Sequence, residues 1–423
     1  RAAFDAFTAQ SIPTLKHEDW RYTDLRELNK TDYAPAEPNA DVTTDDIAPF
    51  LIPNLDTHLL VFVDGHWRED LSAIDEHPEG TAIGTLAQAY TRNPAGIADY
   101  LGKQVDLETD AMSALNTALM EDGAVIYLKP GKTIDKPIHV LSVATAKAAG
   151  TMTHPRNLIV AGEDASVTVL EHYVTLGGEN YFNNAVTELF AADRAEVHHY
   201  LLEREAESAV NISTLEIHQG EKSDVHSHTV LLGGKLVRNN VRPTMAGEDG
   251  HCLINGLFVG HGDQTLDNAM RVEHNAPNCR SRQFYKGIMS DKSHGVFTGR
   301  IVVAEEGQQT DAIQSNRNML LSDDARMNAR PQLEIYADDV RCTHGATTGQ
   351  VDPEAVFYFR ARGLPEDVAR AMLIYAFAAE GFDRMQLVPV RALLADEMIA
   401  KLPMANKLSA EFNEEIKERL YRI

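Results

Sequence analysis

From Ala124 to about Gln350 the chain is built of short stretches in which apolar and polar residues alternate, each introduced by an acidic or glycine-rich turn. Asp164-Ala165-Ser166-Val167-Thr168-Val169-Leu170 sets the pattern, and Asp193-Arg194-Ala195-Glu196-Val197 and Asp224-Val225-His226-Ser227-His228 repeat it. The segments opening at Asp291 and Asp323 continue the series at uneven intervals. A period of two is the period of a β-strand, because successive side chains leave opposite faces of the backbone. A degenerate repeat of strand plus turn predicts a β-solenoid, in which each unit buries its apolar face against its neighbours. A β-sandwich is the competing solution, since alternation alone does not fix topology.

The flanks differ. Residues 1–50 read as helical and polar, with Ala3, Phe4 and Phe7 on one face of a first helix and a break at Pro13. Trp20 and Tyr22 read as anchors of this segment on the main body. His58–Val63 predicts a buried strand, and Asp64-Gly65 a hairpin turn. Residues 82–120 return to helical spacing. After Gly349 the chain is helical again. Asp352 suits an N-cap, Pro353 the first helical position and Gly363 the close. Pro365 opens a second helix, apolar on nearly every side through Met372, Leu373, Ile374, Tyr375 and Phe377, which something must cover. Further helices are expected near 390–402 and 406–421. The expected domains are therefore 1–123, helical or mixed, 124–350, the β core, and 351–423, helical.

A formal charge of −24 on 423 residues repels phosphate backbones and anionic lipid, which argues against nucleic-acid or membrane-surface partners. No apolar run reaches membrane-spanning length. The chain opens at Arg1 without a secretory apolar region, and three scattered cysteines do not make a disulfide framework, so a cytoplasmic location is expected. No Gly-x-x-x-x-Gly-Lys-Ser/Thr loop is present, so no nucleotide is expected on this chain. A Gly-x-Ser-x-Gly elbow is absent too.

Two constellations carry chemistry. His226 and His228 alternate on one predicted strand and point to one face, where they could share a metal, although histidine on a sheet face is usually an ordinary polar residue. Cys252 and Cys279 read as small buried hydrophobes. Cys342 and His344 are also two apart, at the end of the β region. Thiolate and imidazole are a donor set suited to iron or zinc. Two donors do not close a site. Either another chain or a distant segment completes it, or the pair is buried core.

Ala337-Asp338-Asp339-Val340-Arg341-Cys342-Thr343-His344-Gly345-Ala346-Thr347-Thr348-Gly349-Gln350, with Phe357-Tyr358-Phe359-Arg360-Ala361-Arg362-Gly363-Leu364-Pro365, closely resembles the SufB/SufD family of iron–sulfur cluster assembly proteins. Pro331–Ile335, Tyr285-Lys286-Gly287, Leu115–Ala118 and Lys16–Thr23 extend the resemblance over nearly the whole chain. Gly345 stands where SufB carries Glu, and Ser315 stands in the region where SufB carries its essential cysteine. Both departures point to the SufD side of the family. The resemblance implies a mainly β protein: a right-handed parallel β-helix flanked by helical amino- and carboxy-terminal domains. It implies a scaffold subunit rather than an enzyme, paired with SufB through the β-helices and holding the SufC ATPase through its carboxy-terminal helices, for which Met372, Tyr375 and Phe377 are the candidate contacts. A transient iron–sulfur cluster or iron would form at the SufB–SufD interface, held from this side by His344 and Cys342. The resemblance also leaves room for a flavin in the complex, and the edge strands of a solenoid allow a homodimer when the chain is alone. Two rivals stand beside it: a β-helix carbohydrate-active enzyme, which needs converging carboxylates, and a purely structural interaction module.

Overall fold

The computed structural model describes residues 1–147 and 149–401. Strands outweigh helices by 42% to 21%, and the centre is a parallel β-solenoid of about seven turns. Along the chain, strands fall alternately into two sheets. One sheet holds, among others, Tyr181–Ala191, Val210–Gln219, Leu236–Met245, Thr265–His274 and His294–Val303, and ends on Arg326–Ile335. The other holds Ser166–Thr175, Glu196–Arg204, Asp224–Leu231, His251–Gly260, Arg280–Met289 and Asp311–Leu320, and ends on Arg341–Gly349. Neighbouring rungs pair parallel and in strict register, as in Asp224 with His251 and His251 with Arg280.

The turns that mark the sequence repeat are the corners of this coil. At one corner a left-handed residue reverses the chain on each turn: Asp164, Arg194, Lys222, Asp249, Asn278 and Gln309, with φ from 53° to 60°. Asp and Asn tolerate that region better than most side chains because they hydrogen-bond locally. The opposite corner uses Gly234, Gly262 and Asp291, also at positive φ. Asp164 and Asp291 therefore belong to different corners, which is why the acidic signal recurs at uneven spacing.

Inward-facing positions stack into columns. Val167, Val197, Val225 and Cys252 occupy one register column, all buried in the solenoid interior. Cys252 and Cys279 are both buried, as expected, and burial raises both thiols. His139 and His172 lie on the opposite, outer face of the second sheet, buried under the flanking segments with rings stacked 5.4 Å apart, and burial lowers His139 to about 4. They are neutral buried histidines, joined by a contact of 3.3 Å between His139 Nε2 and His172 Nδ1.

Flanking segments cover both sheets. Trp20 lies beneath the Arg238 guanidinium, 4.0 Å from ring centroid to Cζ, and is nearly buried, so it anchors the amino-terminal segment on the solenoid. The helix Ala111–Leu119 is capped by Asp110, and Asn116 Nδ2 donates to the carbonyls of Pro155 and Asn184 at 2.8 Å each. Asp64 and Gly65, with φ of 51° and 84°, form the tight turn between the antiparallel strands His58–Val63 and His66–Trp67. The expected helical stretch 82–120 is only partly helical. Thr81–Thr85 is a strand, antiparallel to Ala124–Leu128, because that partner satisfies its backbone; Thr85 then caps the helix Leu86–Arg92.

At the other end, Asp352 accepts from the Glu354 N–H and Pro353 opens the helix Pro353–Arg360; Gly363 follows at φ 91°. Glu366–Ala379 and Val388–Lys401 complete a layer whose Ile374, Ala378 and Phe382 pack on Leu202, Val230 and Leu257 of the second sheet. The solenoid itself is thus the cover for the over-apolar helix. The helix expected at 406–421 lies outside the described residues.

One polar contact ties the amino-terminal segment to the coil. Arg156 and Glu188 are both fully buried and 2.6 Å apart; Arg156 also donates to Asn116 and Thr117, while Glu188 accepts from the backbone N–H groups of Gly102 and Gln104. Removing one partner leaves a buried unpaired charge. Glu188→Ala is expected to lower unfolding free energy by about 3–5 kcal/mol, and adding Arg156→Met in the same chain to recover part of the loss. Denaturant unfolding checks this; a Glu188→Ala protein within about 1 kcal/mol of the parent contradicts it.

Candidate functional site

Arg341–Gly349 is the last rung of the second sheet. One edge pairs with Asp311–Leu320, and among the described residues no strand pairs with the other. Arg326–Ile335 ends the first sheet in the same way. The solenoid therefore terminates on two strands whose outer N–H and C=O groups are free to bond another chain.

Cys342 and His344 sit two apart on this terminal rung and so leave the same side of the strand. In register, Cys342 follows Ala312, Ser281 and Cys252, so its column is the interior column of the solenoid. Its side chain packs on a small apolar cluster containing Ile301, Val303 and Ala312. Burial raises the thiol, and a hydrogen bond from the Ala312 backbone partly offsets that. His344 follows Gln314 and Gln283, where Gln314 Nε2 donates to Gln283 Oε1 at 2.8 Å. Both glutamines are buried, but His344 is exposed because no further turn stacks on it. A half-buried soft donor thus lies beside an exposed imidazole at an unpaired edge. Among the described residues no third His, Cys, Asp or Glu converges on them. A distant segment of the described chain does not complete the donor set.

Ser315 and Gly345 are register partners on neighbouring rungs. The two departures that separate this sequence from a SufB-like one therefore fall at a single spot, on the opposite side of the rung from Cys342 and His344. Space around Gly345 is open: a Cβ there would touch nothing within 4 Å. Behind Ser315 a recess of about 410 Å³ runs under the carboxy-terminal helices, lined by Phe284, Lys286, Arg317, Glu380 and Arg384 among others.

The helix Glu366–Ala379 holds the three residues expected to contact an ATPase. Met372, Tyr375 and Phe377 are all half-buried. Tyr375 and Phe377 pack on the apolar layer over the second sheet; burial pushes the Tyr375 hydroxyl up to about 12, and Lys286 Nζ stands 4.1 Å over the Phe377 ring. The most exposed aromatics in this region are instead Phe357 and Tyr358, at 71% and 53%, on the preceding helix. Sequence spacing asked only that something cover the second helix, and the second sheet covers part of it.

His226 and His228 lie on the same strand but do not converge. Their rings are 6.4 Å apart and nearly perpendicular. His228 stacks on Tyr200 under the helical layer, and burial lowers it to about 3, with the neighbouring His226 adding to the shift.

Comparison with known proteins agrees along most of the length. The family description "SUF system FeS cluster assembly, SufBD core domain" matches residues 143–377, and "SufBD protein N-terminal region" matches residues 1–140. The chain is 33% identical to the iron–sulfur cluster assembly protein SufD of Escherichia coli over 87% of this chain and 84% of that protein. It is 32% identical to an iron–sulfur cluster assembly SufBD family protein of Synechocystis, over 93% and 88%. SufD of Bacillus subtilis is 24% identical over 93% and 91%. No described helix is long and apolar enough to cross a membrane. With a parallel solenoid carrying both family regions in order, and a SufD relative matched over most of both lengths, this chain belongs to the SufBD family of iron–sulfur cluster assembly proteins and is a SufD homologue.

Proposed function

We propose that this chain is the non-ATPase scaffold subunit of a SUF complex, pairing with a SufB-like partner through its terminal rungs and recruiting a SufC-like ATPase through its carboxy-terminal helices. The observation that carries the reading is the incomplete donor pair on an unpaired edge: Cys342 and His344 lie at the open end of the interior column, on a strand that still has backbone groups to share. Edge pairing would set a partner's donors against them, and a nascent iron–sulfur cluster or its iron is the cargo suited to thiolate and imidazole together. Free Cys252, Cys279 and Cys342 suit a reducing cytoplasm.

In a reconstituted complex, His344→Ala is expected to leave assembly of the subunits unchanged on gel filtration and to abolish cluster formation, read as cluster absorbance per complex. An unchanged cluster yield contradicts the site.

Docking of the ATPase is tested at two positions outside the apolar layer over the second sheet, the exposed Tyr358 and the half-buried Met372. Tyr358→Glu and Met372→Glu are each expected to weaken co-purification of the ATPase at least tenfold while moving the unfolding midpoint little. Undiminished co-purification in both would mean that these helices serve the solenoid alone.

A further inference from the structure

Away from the terminal rungs, a second group of donors lies on the outer face of the second sheet. Asp224 opens the strand Asp224–Leu231, and His226 follows two residues on, so both leave the same face. His251 opens the next rung and is the register partner of Asp224. Stacking of the coil thus brings together residues on consecutive turns. One donor atom from each of the three lies within 4.8 Å of the others, the only such group of three His, Cys, Asp or Glu residues among the described residues.

Both imidazoles crowd one carboxylate oxygen. His251 Nδ1 is 2.7 Å from Asp224 Oδ1, and His226 Nε2 is 3.1 Å from the same atom. The His226 nitrogen is out of line with that oxygen, so it is buried with an ionic contact but no aligned hydrogen bond. A buried ring nitrogen in that state costs stability unless something else takes its lone pair. His226 is held in place from the other side by His198, edge-on with ring centroids 4.8 Å apart, and His198 in turn contacts Glu196 at 2.9 Å. An ionised carboxylate with two imidazoles is a borderline donor set, suited to zinc or ferrous iron rather than to calcium or magnesium. His251 also lines a groove of about 810 Å³ that runs past Arg280, Arg282 and Asp311 to Arg341, so the group opens to solvent on one side.

The geometry points to an open three-ligand site for a divalent transition metal of the zinc or ferrous class, built from Asp224, His226 and His251, with water in the remaining position. It is a different place from the Cys342–His344 edge: the rung of His251 is three rungs from that of Cys342, about 14 Å at 4.7–4.9 Å per rung. It does not depend on pairing with another chain.

The test uses the untagged full-length chain, stripped with chelator, with Cys342→Ser and His344→Ala introduced together to remove the edge donors. Zinc is titrated by calorimetry and cobalt by absorption. The double variant is expected to bind one equivalent of each, and zinc to raise its melting temperature. Adding His251→Ala or Asp224→Asn, both at partly exposed positions, is expected to weaken binding at least tenfold and to cancel the thermal shift while metal-free melting stays unchanged. His226→Ala is expected to do the same, and the other two variants carry the test if it fails to fold. No saturable binding by the double variant, or equal binding after Asp224→Asn and His251→Ala, overturns the site and leaves a hydrogen-bonded Asp–His cluster. Either result is independent of cluster assembly at His344.

Discussion

Everything in this protein hangs on the parallel ladder. Each rung exchanges all its backbone hydrogen bonds with the rung below and the rung above, so a rung in the middle of the coil has nothing left to offer. Only the ends do. At the amino-terminal end the chain reverses: His58–Val63 turns back on His66–Trp67, Thr81–Thr85 runs antiparallel to Ala124–Leu128, and the ladder stops there. At the carboxy-terminal end Arg326–Ile335 and Arg341–Gly349 continue the parallel sense and are left half-paired. The amino-terminal end thus finishes on short antiparallel strands and the carboxy-terminal end on long parallel ones, and the soft donors lie on the latter.

Much of this was legible in the residues. The alternation Ser166-Val167-Thr168-Val169 shows a strand because one of its faces is buried, and the acidic residues between such stretches mark the turns, although the left-handed residue itself is as often Arg194, Lys222 or Gln309 as Asp or Asn. The strand Thr81–Thr85 was hidden because its partner Ala124–Leu128 lies some forty residues on, and no local pattern announces a long-range pairing. Cys342 and His344 were legible as a pair because an i, i+2 spacing on a strand is itself a statement of geometry. His226 was legible as a donor, but its partners were not. Sequence offers His228 on the same strand, which the helical layer buries against Tyr200, whereas the coil supplies His251 from the next turn. Proximity across rungs follows from the length of each turn, and the turns here vary in length.

The helical layer illustrates a different limit. An all-round apolar helix predicts a cover without saying which. The solenoid supplies part of it through Leu202, Val230 and Leu257, and exposed aromatic area is left on Phe357 and Tyr358. Ser315 and Gly345 show the converse case. They are thirty residues apart in sequence and adjacent in space, so two separate sequence departures amount to one change at one spot.

The corners carry a further consequence. Asp224 and His251 are 27 residues apart and Arg280 and Asp311 are 31 apart, yet both pairs are flush. Half of the extra residues lengthen a strand, Arg280–Met289 against Asp224–Leu231, and half lie outside the strands, where Val303 runs to Asp311 by a longer corner than Met245 runs to His251. Insertions and deletions of a residue or two at these bends therefore leave every stacked column where it was. A lineage of such proteins is free to drift in length at its corners while the columns that place Cys342, His344 and His251 keep their alignment.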